Sequence, residues 1–170
     1  MTLEVPGTIR IPVGVVAERR PGVTQWAEHA WAAREVLEDA PPVPPWTVLR
    51  EEAGRTLFFA GEAEVALYPT DTDNYIHNLE QAVPRVWVVL RPVEAAPGYA
   101  LQAVTVDAGE AQLYAESGSD LLEALPLPPG LRLALERFVA EHHRVREFQK
   151  RKRDRADADS LGRRSRVEEA

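Results

Sequence analysis

WTVLREEAGRTLFFAGEAEVALYP, residues 46–69, decides the fold class. Its β-branched and aromatic residues come in short runs parted by glycines and charged pairs, which is the pattern of extended strands. The stretch reads as three consecutive strands, Trp46 to Glu51, Thr56 to Ala60 and Ala63 to Tyr68. The Gly61-Glu62 link suits a two-residue type II′ hairpin, where glycine takes the positive backbone angle at the first central position. The meander is therefore expected to be antiparallel.

The flanking segments extend this pattern. In IRIPVGVVAERRPG, residues 9–22, Ile9, Ile11, Val13, Val15 and Ala17 alternate as in a half-buried strand, and Pro21-Gly22 supplies a turn. Pro12 lacks an amide donor, so this strand lies at an edge or begins pairing after that point. WAAREVL, residues 31–37, is ambiguous, with helix-favouring Ala and Glu between turn residues. APPVPP, residues 40–45, holds four prolines and is a stiff connector.

Towards the C-terminus, TDTDNYIHNLEQ (70–81) carries Thr70 three residues before Asp73, and Tyr75 and Leu79 at i, i+4, which predicts a short helix. RVWVVLRP (85–92) is apolar on both faces and reads as a central strand with Trp87 in the core. YALQAVTV (99–106) reads as the last strand, and DAGEAQLYAESG (107–118) as a helix opened by Asp107 and stopped at Gly118. After LPLPPG (125–130), Leu131, Leu135, Phe138, Val139, His142 and Val145 form the stripe of a long amphipathic helix.

The expected architecture is α+β: a curved antiparallel sheet or small half-closed barrel of six to seven strands, packed by a long C-terminal amphipathic helix. Residues 1–148 form a single domain and 149–170 a basic, partly disordered tail.

Charge and composition narrow the functional classes. The chain of 170 residues has no cysteine, which excludes disulfides, thiolate nucleophiles and cysteine-held metal clusters. No apolar run approaches the roughly 20 residues of a membrane span, and the start MTLEVPGTIR lacks the pattern of a signal peptide, so a cytoplasmic location is expected. The net charge of −7 is unevenly spread. Residues 1–143 carry ten bases against twenty-one acids, while 144–166 carry ten bases against four. Such polarity suits attachment more than catalysis.

The chemically suggestive groups have ordinary readings. His142 and His143 point about 100° apart on a helix and cannot easily share a metal, which helices hold at i, i+3 or i+4. Asp71, Asp73, Asn74 and His77 lack the glycine and bidentate glutamate of a calcium loop and suit turn and helix capping. The pairs Glu51-Glu52 and Glu62-Glu64 read as solvated, and no GxSxG elbow surrounds Ser117, Ser119, Ser160 or Ser165. No catalytic residue, metal or cofactor is expected. Trp26, Trp31, Trp46 and Trp87 read as caps on an open barrel end, with Trp26 beside Arg19 and Arg20 a possible partner anchor.

The basic segment could neutralise phosphates, but no aromatic follows Phe148 to stack bases and the acidic body repels a polyanion. Nucleic acid is thus the weaker alternative, beside a small ligand of pterin type. The candidate partner-binding residues are Arg19, Arg20, Trp26, Trp46, Phe148, Lys150, Arg151, Lys152, Arg153 and Arg155.

IPVGVVAERR (11–20), PPWTVLREE (44–52), NLEQAVPRVWVVLRP (78–92) and LPLPPGLRLALERFVAEHHRVREFQKRKRDR (125–155) together resemble a bacterial family of conserved domains of unknown function. Its members are typically encoded beside molybdenum- or tungsten-dependent formate dehydrogenase genes. The resemblance spans about residues 9 to 155 and implies a strand at WAAREVL. It also implies a non-enzymatic accessory protein, assisting maturation or assembly of a molybdenum-dependent formate dehydrogenase by contact with a subunit or a companion assembly protein. A molybdopterin-guanine-dinucleotide synthesis label attached to some members fits poorly, since IPVGVVAERR has one glycine and no phosphate loop.

Overall fold

The alternation in residues 9–21 produces β1 (Ile9–Pro21) in the computed structural model, which describes residues 4–22 and 29–144. β1 lies inside a four-stranded antiparallel sheet with β2 (His29–Leu37), β3 (Thr47–Glu52) and β4 (Arg55–Leu67), in the order β2-β1-β4-β3. WAAREVL is thus a strand. Pairing with β4 starts at Ile9, but pairing with β2 starts only at Gly14. Pro12 therefore lies where the β2 side is still unpaired, which a residue without an amide donor tolerates.

The Gly61-Glu62 hairpin does not form. β4 runs unbroken through both residues for 13 residues, matching the length of β1. Gly61 does take a positive φ of 130°, but it serves a bulge: Val15 pairs with Gly61 and Val16 with Phe59, leaving Ala60 as the extra residue. The hairpin is one element earlier, where Glu52 pairs with Arg55 around Ala53-Gly54 and Gly54 has φ 80°.

A second antiparallel sheet contains β5 (Arg85–Pro92), β6 (Tyr99–Thr105) and β7 (Leu121–Pro126), in the order β6-β5-β7. β5 is central, as its apolar character predicts. β6 is not the last strand. LLEALP pairs along β5 from Leu90↔Leu121 to Arg85↔Pro126, at an edge where proline is allowed. Among the described residues seven strands are present, but they are divided between two sheets and do not close into a barrel. β4 approaches β6 and β2 approaches β7. Val13, Val15, Ala17 and Leu67 of the first sheet share one core with Val86, Val88 and Leu90 of the second.

A single 3-10 turn, Pro69–Asp71, leads into α1 (Thr72–Leu79). The Thr70–Asp73 capping box is absent: Asp71 occupies the N-cap position and makes no side-chain cap bond. Asn78, buried at the end of α1, donates to the carbonyls of Arg85 (2.8 Å) and Val106 (3.0 Å) and accepts from the Arg85 amide (2.8 Å). It ties α1 to β5 and to the end of β6. In α2 (Ala108–Glu116), Asp107 caps as expected, accepting from the Gly109 amide at 2.8 Å.

α3 (Pro129–His142) buries Leu131, Leu135 and Phe138. It is shorter than the predicted long helix. His143 already has extended backbone, φ −69° and ψ 120°, and the helix packs chiefly on α1 instead of closing a sheet. Val145 and the expected tail lie outside the described residues.

Candidate functional site

The two faces of β1 separate the chemistry of its C-terminal end. Val13, Val15 and Ala17 face the core, and Arg19 continues that face, its guanidinium over the rings of Trp31 (5.8 Å) and Phe58 (5.1 Å). Trp31 also meets Trp46 edge-on at 5.7 Å and Tyr99 at 5.7 Å. Trp46 follows the proline connector with φ 68°, a left-handed conformation that costs a bulky residue about 1 kcal/mol or more.

Glu18 and Arg20 occupy the opposite face. Glu18 is only 2% exposed, yet its carboxylate is met by three guanidiniums: Arg20 through Nε, Arg34 Nε at 2.8 Å and Arg55 Nη1 at 3.4 Å. Arg34 reaches it because Arg34 is the extra residue of a bulge in β2, with Val16 paired to Glu35 and Ala17 to Ala33. Bulges re-aim side chains in this way. Arg55 also grips Glu52 through Nη2 at 2.6 Å, and Arg50 Nε lies 2.7 Å from the other oxygen of Glu52. Burial acts to raise the Glu18 pKa, but the hydrogen bonds from Arg34 and Arg20 outweigh it and hold the carboxyl below its ordinary range. Glu52 is likewise held low, chiefly by its hydrogen bond from Arg55.

All ten bases of residues 1–143 are arginines, and five of them, Arg19, Arg20, Arg34, Arg50 and Arg55, gather at this end of the larger sheet. An otherwise acidic body thus carries one cationic end. A cavity of about 270 Å³ opens there, lined by Arg19, Arg20, His29, Glu52, Arg55 and Thr56.

Of the residues predicted from sequence to bind a partner, Arg19, Arg20 and Trp46 come together here. Trp26, Phe148, Lys150, Arg151, Lys152, Arg153 and Arg155 lie outside the described residues. Glu18, Arg34, Arg50 and Arg55 were not singled out, and Trp31 was read only as a cap on an open barrel end. The available signal was the break from Gly14 and Val16 to Glu18 on one face of β1, a glutamate in line with buried positions.

The other constellations are dispersed. The His142 ring stacks on Phe138 at 4.4 Å, whereas His143 Nδ1 lies 3.1 Å from Thr72 Oγ1. Among the described residues no group of three or more His, Asp or Glu could hold a metal ion. Asp71 is pushed above its ordinary pKa by burial and by nearby Asp107. Asn74 donates to Asp107 at 3.1 Å, and Ser117 donates to the Tyr114 carbonyl at 2.8 Å. Trp87 is not a core residue: half-buried, it lines a cavity of about 400 Å³ with His77, Asn78, Gln81 and Arg85. Among the described residues no helix is long and apolar enough to cross a membrane.

No curated protein and no solved structure matches the chain. A family model does match residues 12–152, covering both sheets and all three helices. By that match the chain belongs to the family described as Protein of unknown function (DUF3305).

Proposed function

We propose that this is a non-enzymatic cytoplasmic accessory protein that docks onto a protein partner through the arginine and aromatic end of the larger sheet. The observation that carries the reading is the gathering of five of the ten arginines of residues 1–143 at one end of the larger sheet, three of them on the buried Glu18 carboxylate, one on Glu52 and one over Trp31 and Phe58. Arginine and tryptophan dominate the energetics of protein interfaces, because each presents a large contact area with directed donors. The client in this reading, suggested by the resemblance noted from the sequence, is a molybdenum-dependent formate dehydrogenase, through one of its subunits or a companion assembly protein.

The test is affinity capture of the tagged protein from its native host, with an Arg19→Glu, Arg50→Glu variant in parallel. The expected result is recovery of a formate dehydrogenase subunit or assembly factor by the native protein, and its loss in the variant. Recovery of neither by the native protein overturns the reading. Deletion of the gene is expected to lower the metal and pterin content of the formate dehydrogenase.

A second reading, a small-ligand domain, draws support from the cavity beside Trp87, whose size falls within the range of ligand pockets. Tryptophan fluorescence unchanged across a cofactor panel removes it.

A further inference from the structure

We infer that the guanidinium array of Arg20, Arg34, Arg50 and Arg55 receives the carboxylate side chains of a short acidic peptide segment. This deepens the docking reading above and rests on it.

The atoms used inside the cluster support this. Arg20, Arg34 and Arg50 each contact their glutamate through Nε. Among the described residues, the terminal Nη groups of these three make no other hydrogen bond or ion pair. Each guanidinium is anchored on its inner edge and, among the described residues, keeps its outer pair of donors free, in the fork that matches a carboxylate. Exposures of 50% for Arg20, 43% for Arg34 and 69% for Arg50 leave those donors accessible, while Arg55 spends its own on Glu18 and Glu52 and adds its charge. Four arginines against Glu18 and Glu52 give the cluster a formal excess of two positive charges, with Glu123 also within the field of Arg34. Because the carboxylates of buried Glu18 and half-buried Glu52 already order the guanidiniums, an incoming anion does not have to immobilise them.

Two observations favour a peptide over a nucleic acid. Among the described residues at this end, the ring faces that could stack bases are already engaged: Trp31 packs against Trp46, Phe58 and Tyr99, with Arg19 over it. Residues 1–143 also carry ten bases against twenty-one acids, a field that repels a long polyanion more than a short segment confined to the cationic end.

The experiment is fluorescence anisotropy of the full-length protein with a fluorescein-labelled hexaglutamate peptide at low salt. Arg34→Gln with Arg50→Gln is expected to weaken binding about tenfold or more. Neutralising Lys150, Arg151 and Lys152 to Gln is expected to weaken it less than about threefold. Arg34→Lys keeps the charge without the fork and is expected to fall between the native protein and Arg34→Gln. Arg50→Gln alone, which leaves the contacts of Glu18 in place, keeps the test valid should the double variant fail to fold.

Wild-type affinity in Arg50→Gln and in a folded double variant, a loss confined to the Lys150 to Lys152 variant, or displacement of the peptide by oligothymidylate of equal charge at lower concentration overturns the inference. Client capture that still depends on Arg19 and Arg50 while the peptide fails to bind sinks this inference and leaves docking standing. Peptide binding without client capture does the reverse.

Discussion

The carboxylate of Glu38, just after β2, accepts a hydrogen bond from the backbone amide of Leu131 in the first turn of α3 at 2.6 Å, across 93 residues of chain. Pro128 at the N-cap position has no side-chain acceptor, so Glu38 satisfies from a distance one of the orphan amides of the helix start. A Cβ on Gly130 would lie 2.8 Å from Glu38 Cδ and displace it. Gly130→Ala should therefore be neutral or destabilising in the native background, despite a helix-propensity gain of up to about 1 kcal/mol. In a Glu38→Ala background, where that cap is already gone, the same change should stabilise. Urea unfolding of the four proteins of this cycle checks the sign reversal.

Replacing Glu18 with Gln leaves Arg20, Arg34 and Arg55 converging without their common counter-charge. Because those arginines are partly solvated, the expected loss is about 1–3 kcal/mol and not the full cost of a broken buried pair. The pKa of Glu18 is lowered in the folded state, so its contribution is complete above the ordinary glutamate range and is lost as pH falls through the depressed value. The stability gap between native and Glu18→Gln proteins should thus be widest near neutrality and close below about pH 4, where glutamates ordinarily begin to protonate. Thermal melts across that window measure it.

Tyr75 is buried at the crossing of α1 and α3, edge-on to Phe138 at 6.1 Å, and its phenol oxygen accepts from the Tyr68 amide at 2.8 Å. Burial raises its pKa and keeps the phenol neutral. Tyr75→Phe keeps the packing and orphans the amide, at a cost of about 1–2 kcal/mol. Faster hydrogen exchange at Tyr68 than at its neighbours is the local signature.

Asp71 moves in the opposite direction from Glu18. Its folded-state pKa is raised by burial and then by Asp107, so ionisation costs stability as pH rises through that value. Asp71→Asn removes the charge at nearly constant shape. It should raise stability at pH 7 by a few tenths to about 1 kcal/mol, with the gain disappearing at pH 3.

Strand identity was legible where side-chain alternation stood alone, as in Ile9 to Ala17, and where a short run was apolar on both faces, as in Arg85 to Pro92. It failed where two physical causes share one residue signal. A glycine with positive φ serves a turn at Gly54 and a bulge at Gly61, and the sequence around each is compatible with both. Leu121 to Pro126 was hidden because Pro126, with Pro128 and Pro129 just after it, argues against a strand unless the edge position is known. In the candidate site, Arg19, Arg20 and Trp46 were visible as exposed anchor types. Arg34, Arg50 and Arg55 were not, because each belongs to a different strand.

The amino-acid order alone determined the mixed α+β class, antiparallel pairing, the central place of β5, the Asp107 helix start and an acidic body without cysteine chemistry. These follow from local periodicity, capping and composition, which need no knowledge of distant neighbours. Tertiary structure decided that the strands form two sheets, that Glu38 caps a helix 93 residues away and that Glu18 gathers three arginines. Strand register and side-chain convergence depend on pairing energies between remote segments, and no local pattern encodes which remote segment arrives.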